Sequence, residues 1–155
     1  MIRKDKEITG PEEIADIIEQ AEVCRVAMAD NGMPYVVPMC FGFSDNALYL
    51  HSAGKGKKID TLRKHNPVCF EMDVDTEVKP GDTACKWGMG FRSVIGFGRA
   101  VFLEDPEAKR RALDIIMAHY ASRYEFGKFT YSESALSATA VIRIDVESMT
   151  GKKAG

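Results

Sequence analysis

The chain has 155 residues, 45% of them hydrophobic and 9% aromatic, which fits a single domain spanning 1–155 with a real core. With 21 basic and 23 acidic residues the net charge is −2, so no overall basic bias points to nucleic acid. No apolar run approaches the roughly 20 residues needed to span a membrane, and the charged start MIRKDKEITG lacks the apolar stretch of a secretory signal. A cytoplasmic, non-membrane protein is expected.

Thr9-Gly10-Pro11-Glu12 reads as a helix start, with Thr9 and Glu12 at capping-box spacing. Ile14, Ile17, Ile18 and Ala21 repeat at helical spacing to about Glu22. Val23 to Ala29 reads as a buried strand, and Asp30-Asn31-Gly32 as a hairpin turn, because Asn-Gly supplies the positive φ angles that a tight turn needs. Tyr35–Phe43 and Ala47–Ser52 form the next hairpin, around Ser44-Asp45-Asn46. Pro38 cannot donate to a ladder, so it implies an edge, a bulge or a ligand-facing gap. Ile59 and Leu62 mark a short helix that stops before Pro67.

Val68–Val74 alternates as a strand, and Asp75–Lys86 reads as a loop. Phe91–Leu103 is a long strand in which Gly96 and Gly98 suggest a bulge or bend. Asp105 caps a helix with Pro106 in its first turn and Leu113, Ile116, Met117 and Tyr120 on its apolar face. Arg123–Ser137 reads as a loop, Ala138–Val146 as the last strand and Gly151–Gly155 as a loose tail. About six hairpin-linked strands with inserted helices argue against a doubly wound parallel sheet and for a closed or partly closed antiparallel barrel.

The segment from His51 to Asp60, HSAGKGKKID, carries the clearest chemistry. A strand end bearing His51 and Ser52 runs into a glycine-rich basic loop that opens a helix. Exposed N–H groups at a helix start attract anions. Gly54 and Gly56 let the loop wrap closely, Lys57 and Lys58 add charge, and Ser52 adds a donor. This order suits a phosphate group; a solvated basic turn is the competing reading. Neither a GxxxxGK[ST] loop nor a dinucleotide fingerprint is present.

His51 could hydrogen-bond a ligand or exchange protons near neutral pH, whereas His65 and His119 read as solvated. Trp87, the sole tryptophan, could stack on a planar ligand or cover a core edge. Of the four cysteines, Cys24, Cys40 and Cys69 lie in apolar strands and read as small hydrophobes. No thiol of the four, Cys85 included, sits in a CxxC pair, so free thiols and no zinc site are expected.

The runs YVVPMCFGF, ALYLHSAGKGKKID, NPVCFEMDV and RSVIGFGRA, in that order, resemble the nitroimidazole-resistance (Nim-type) branch of the pyridoxamine phosphate oxidase-like proteins. The resemblance implies a mainly β fold, an antiparallel split β-barrel with inserted helices, that binds FMN as a homodimer with the flavin between subunits. It implies that Ser52, Lys57 and Lys58 grip the FMN phosphate. It also implies that Val37, Pro38, Met39 and Cys40 lie along the flavin ring and that His51 stands near flavin and substrate as the catalytic residue. Trp87, Arg92 and Ser93 are candidates for reaching a neighbouring subunit's flavin. The implied activity is reduction of a small electron acceptor, of nitro-aromatic type. The alternative is a non-catalytic flavin- or haem-binding protein on the same fold, with His51 as the candidate axial ligand.

Overall fold

The computed structural model describes residues 3–121 and 129–155. Its elements run β1 (Glu7–Ile8), α1 (Pro11–Gln20), β2 (Cys24–Asp30), β3 (Met33–Met39), β4 (Phe41–Ser44), β5 (Ala47–Ala53) and α2 (Lys57–Lys64). They continue with β6 (Pro67–Lys79), β7 (Gly88–Leu103), α3 (Pro106–Ala121), α4 (Glu133–Ala138) and β8 (Thr139–Ala154). Every pairing is antiparallel, in the order β3-β2-β6-β7-β8-β5-β4, with β1 on the far half of β8.

Only Cys40 separates β3 from β4, yet β3 pairs with β2 and β4 pairs with β5. The continuous segment thus changes partner at Cys40, and the barrel is split there. Turns at Asn31-Gly32 and Asp45-Asn46 take positive φ at both central residues (51° and 83°; 50° and 56°), the geometry of two-residue hairpins.

Inward-facing Val26, Phe41, Leu48, Leu50, Phe70, Met72, Ile142 and Ile144 fill the barrel and are fully buried. Ile59 and Leu62 of α2 join that cluster at the Asp30 end of β2, and Ile18 of α1 joins it near the Cys24 end. The C-terminal turn of α3 closes the corner between β3 and β4. The Tyr120 hydroxyl donates to the Glu22 carbonyl oxygen and accepts from the Phe41 N–H, both at 3.0 Å. His119 donates from Nε2 to the Ala21 carbonyl oxygen at 2.8 Å and packs on the Phe41 ring. His119 is therefore a structural histidine and not a solvated one.

Several sequence expectations change. Gly10 rather than Thr9 caps α1, with no side-chain cap bond, because Pro11 already fills the first helical position. The expected 123–137 loop contains α4, capped by Ser132 accepting from the Ala135 N–H; residues 122–128 lie outside the described range. The expected 75–86 loop is partly strand, since β6 continues past an irregularity at Val74/Glu77. The expected C-terminal tail is instead the second half of β8, held between β7 and β1. Cys24 is buried as expected, Cys69 is half-buried, and Cys40 and Cys85 are exposed free thiols. Among the described residues no helix is long and apolar enough to cross a membrane, and no group of three or more His, Cys, Asp or Glu could hold a metal ion.

Candidate functional site

The end of β5 fixes the site. Leu50 faces the core opposite Phe41 and Ile142, so its neighbour His51 turns outward and is exposed. Ser52 pairs with Ala140 and Ala53 with Thr139, so the strand is anchored on β8 until the chain leaves it. The loop then runs over the C-terminus of α4, where a Cβ on Gly54 would come within 3.3 Å of the Ala138 carbonyl oxygen. Gly56, at φ 119°, caps α2 without a side-chain bond, and its carbonyl accepts from the Asp60 N–H at 3.0 Å. The amide N–H groups that open α2 therefore have no intrahelical acceptor and follow a bend that only glycine adopts easily.

The two lysines behind that bend differ. Lys57 stands 4.7 Å from the centre of the Tyr35 ring and 4.0 Å from Asp30, so its charge is spent on the β2–β3 hairpin. Lys58 is half-buried, with no ion pair or hydrogen bond among the described residues, and burial pushes its pKa down. A partly buried ammonium without a counter-charge is unfavourable unless an anion joins it. Ser52, Gly54, the first turn of α2 and Lys58 thus make a cradle whose half-buried cation has no partner among the described residues.

β3 presents its free edge toward the split, and its side chains alternate. Pro38 and Cys40 are exposed, whereas Met39 is 7% exposed within the core and Val37 packs against it. Of the four residues expected along a flat ligand, only Pro38 and Cys40 offer side chains, and Val37 and Met39 offer backbone. Tyr35 and Tyr120 also join the site. Tyr35 captures Lys57, and Tyr120 braces the Cys40–Phe41 junction. The place of Tyr120 on a helical apolar face was legible; its hydroxyl contacts were not.

Trp87 and Ser93 lie elsewhere in the same chain. Ser52 pairs with Ala140 near the start of β8, and Phe91 pairs with Ala154 at its end. From 140 to 154 is 14 residues, about 45 Å of strand contour at ~3.3 Å each. Trp87, 58% exposed, sits on the hairpin arm beyond that far end beside exposed Val78 and Met89. Ser93 is nearly buried between Asp73 and Lys152. Arg92 donates to Asp16 and Asp75, both at 2.6 Å, and so fixes the base of the arm.

A model of the family described as pyridoxamine 5′-phosphate oxidase matches residues 10–153. The crystal structure of a candidate 5-nitroimidazole antibiotic resistance protein from Bacteroides thetaiotaomicron is 39% identical, with a TM-score of 0.83, over 95% of this chain and 86% of that one. A FAD-binding protein from Mesorhizobium loti is 28% identical, with a TM-score of 0.66, over 94% and 96%. The flavocytochrome Anf3 from Azotobacter vinelandii, 21% identical with a TM-score of 0.81 over 96% and 69%, shares the fold. No curated protein matches the chain. The match across nearly the whole length, on a barrel split at Cys40, shows that the chain belongs to the pyridoxamine 5′-phosphate oxidase family, in its nitroimidazole-resistance-type branch.

Proposed function

We propose that this chain is a flavin-dependent oxidoreductase that holds FMN by its phosphate at Ser52, Gly54, the first turn of α2 and Lys58, and reduces a small electron acceptor of nitro-aromatic type. The observation that carries the reading is the half-buried Lys58, without a counter-charge among the described residues, beside helix N–H groups without intrahelical acceptors. A phosphate dianion answers both. When bound, the flavin would supply hydride and single-electron chemistry, and the protein would orient it and exclude competing reactions. Pro38 and Cys40 would flank the ring. The exposed His51, anchored through β5, would orient the acceptor or hand it a proton. The similarity to a candidate nitroimidazole-resistance protein supports the acceptor class, and the FAD-binding relative makes FAD the competing cofactor.

The test is the absorption spectrum of the purified chain and the mass of the released ligand. Flavin bands and the mass of FMN are expected; a colourless chain that fails to take up added FMN, or one that releases only FAD, overturns the cofactor assignment. Anaerobic photoreduction followed by a 5-nitroimidazole should restore the oxidised flavin spectrum. No recovery beyond that seen without acceptor removes the nitro-aromatic reading.

A homodimer completes this proposal. The outer face of the sheet carries a cross-strand row Val36–Ala27–Cys69–Phe97, flanked by Pro38–Arg25–Glu71–Ile95. Val36 is 60% exposed, Phe97 53% and Ile95 43%. Such a patch on a sheet face suits a self-complementary contact, and it starts on β3 beside the cradle. A second copy there would bring its own hairpin arm, with Trp87, toward a site that Trp87 does not reach in its own chain. Light scattering should give twice the 17.2 kDa of the chain, and Phe97→Asp should give the monomer with at least about tenfold weaker FMN binding. A wild-type monomer that binds FMN contradicts this arrangement.

A further inference from the structure

In the β4–β5 ladder Phe41 pairs with Leu50, and both face the core. Cys40 directly precedes Phe41 and His51 directly follows Leu50, so two exposed residues flank the last registered pair of that ladder. Tyr120 backs this junction, its hydroxyl held by Phe41 and Glu22 and in contact with the Cys40 thiol. The other thiols have different settings. Cys24 is buried, and burial pushes its pKa up to about 12. Cys69 is half-buried, and burial raises it as well, with Glu71 adding to the effect. Cys85 is exposed on the hairpin arm.

We propose that Cys40 and His51 form a nucleophile–base pair, a covalent-modification site for soft carbon electrophiles such as Michael acceptors. As sulfur bonds to the β-carbon of the acceptor, the imidazole takes the thiol proton and returns it to the α-carbon, so the addition needs no oxidant or reductant. With an α-halo amide, the S–C bond forms, the carbon–halogen bond breaks, halide leaves and the imidazole keeps the proton. An adduct at Cys40 lies beside the phosphate cradle and excludes the flavin ring. That consequence rests on the function proposed above, whereas the pairing rests only on the strand register and exposure.

Iodoacetamide labelling followed by peptide mass tests the pair, with Cys85 of the same chain as reference. Cys40 is expected to react faster than Cys85. The Cys40-to-Cys85 rate ratio should fall about tenfold in His51→Asn and in His51→Gln, less than the ~100-fold of enclosed general bases because water reaches both groups. Cys24 left unlabelled certifies an intact fold in each variant. A wild-type ratio at or below one, or a ratio unchanged by both substitutions, overturns the pair. Saturating FMN should slow Cys40. If FMN binds, read by quenching of its fluorescence, and Cys40 reacts undiminished, flavin exclusion is overturned. If FMN does not bind, the flavin reading fails and the pair is judged on the ratio alone.

Discussion

Lys58→Ala should lower the affinity for FMN about 10- to 100-fold, the effect of losing a charged hydrogen bond of roughly 1.5–3 kcal/mol, while Lys57→Ala should lower it only about threefold or less. Two adjacent lysines look equivalent in the sequence. In the structure Lys57 is already engaged by the Tyr35 ring and Asp30, and Lys58 is half-buried without a partner among the described residues. Titration of each variant with FMN, followed by fluorescence, separates them. Equal losses would show that both ammonium groups turn to the phosphate. No loss at Lys58 would remove the cradle as assigned. The flavin-free Lys58→Ala chain should melt no lower than the wild type, because folding holds that ammonium against its desolvation.

The second large effect lies in the barrel wall. Gly96 pairs directly with Phe70, and a Cβ added at Gly96 would meet the Phe70 ring at 2.1 Å. Phe70 is fully buried in the main cluster. Gly96→Ala should therefore cost about 1–3 kcal/mol through overpacking, lowering the melting temperature by roughly 3–10 °C. Gly88, where an added Cβ would meet nothing within 4 Å, is the control, and Gly88→Ala should stay within about 0.5 kcal/mol. Thermal unfolding of the two variants decides it; an unchanged melting temperature for Gly96→Ala means that the ring relocates at no cost.

Gly96 and Gly98 show what a sequence can and cannot say. Their presence in a long apolar strand signals a bulge, and the register of β7 against β8 does break between Phe97 and Gly98. The cause at Gly96, a phenyl ring from the neighbouring strand, is a tertiary contact with no local mark. The same break hid the end of β8. Gly98 pairs with Val146 and Phe97 with Ser148, so Glu147 is an extra residue that resets the alternation. After Ile142 and Ile144 the inward positions become Met149 and Gly151, and a period-two pattern read from 139 onward dissolves at 147. Ile8 covers Gly151 so closely that a Cβ there would meet its Cβ at 2.7 Å, a contact from the other end of the chain.

The cradle was more legible, because its parts are contiguous: His51, Ser52, Gly54, Gly56, Lys57 and Lys58 share one strand end and one helix start. What stayed hidden was how the charges are shared and which strand residues face out. His119 and Tyr120 looked like one wet and one buried helix position. Together they close the corner where the sheet is split, through backbone carbonyls of residues 21 and 22 that no pattern in the sequence ties to them.

The central claim is that the Ser52–Lys58 cradle recognises the phosphate of a flavin mononucleotide. The most direct measurement is a paired fluorescence titration of the ligand-free wild-type chain with FMN and with riboflavin, which differ only by that phosphate. FMN should bind at least about 100-fold more tightly, since helix N–H groups, Ser52 and Lys58 all lose their anion in riboflavin. Equal affinities for the two, or no binding of either, would contradict the account.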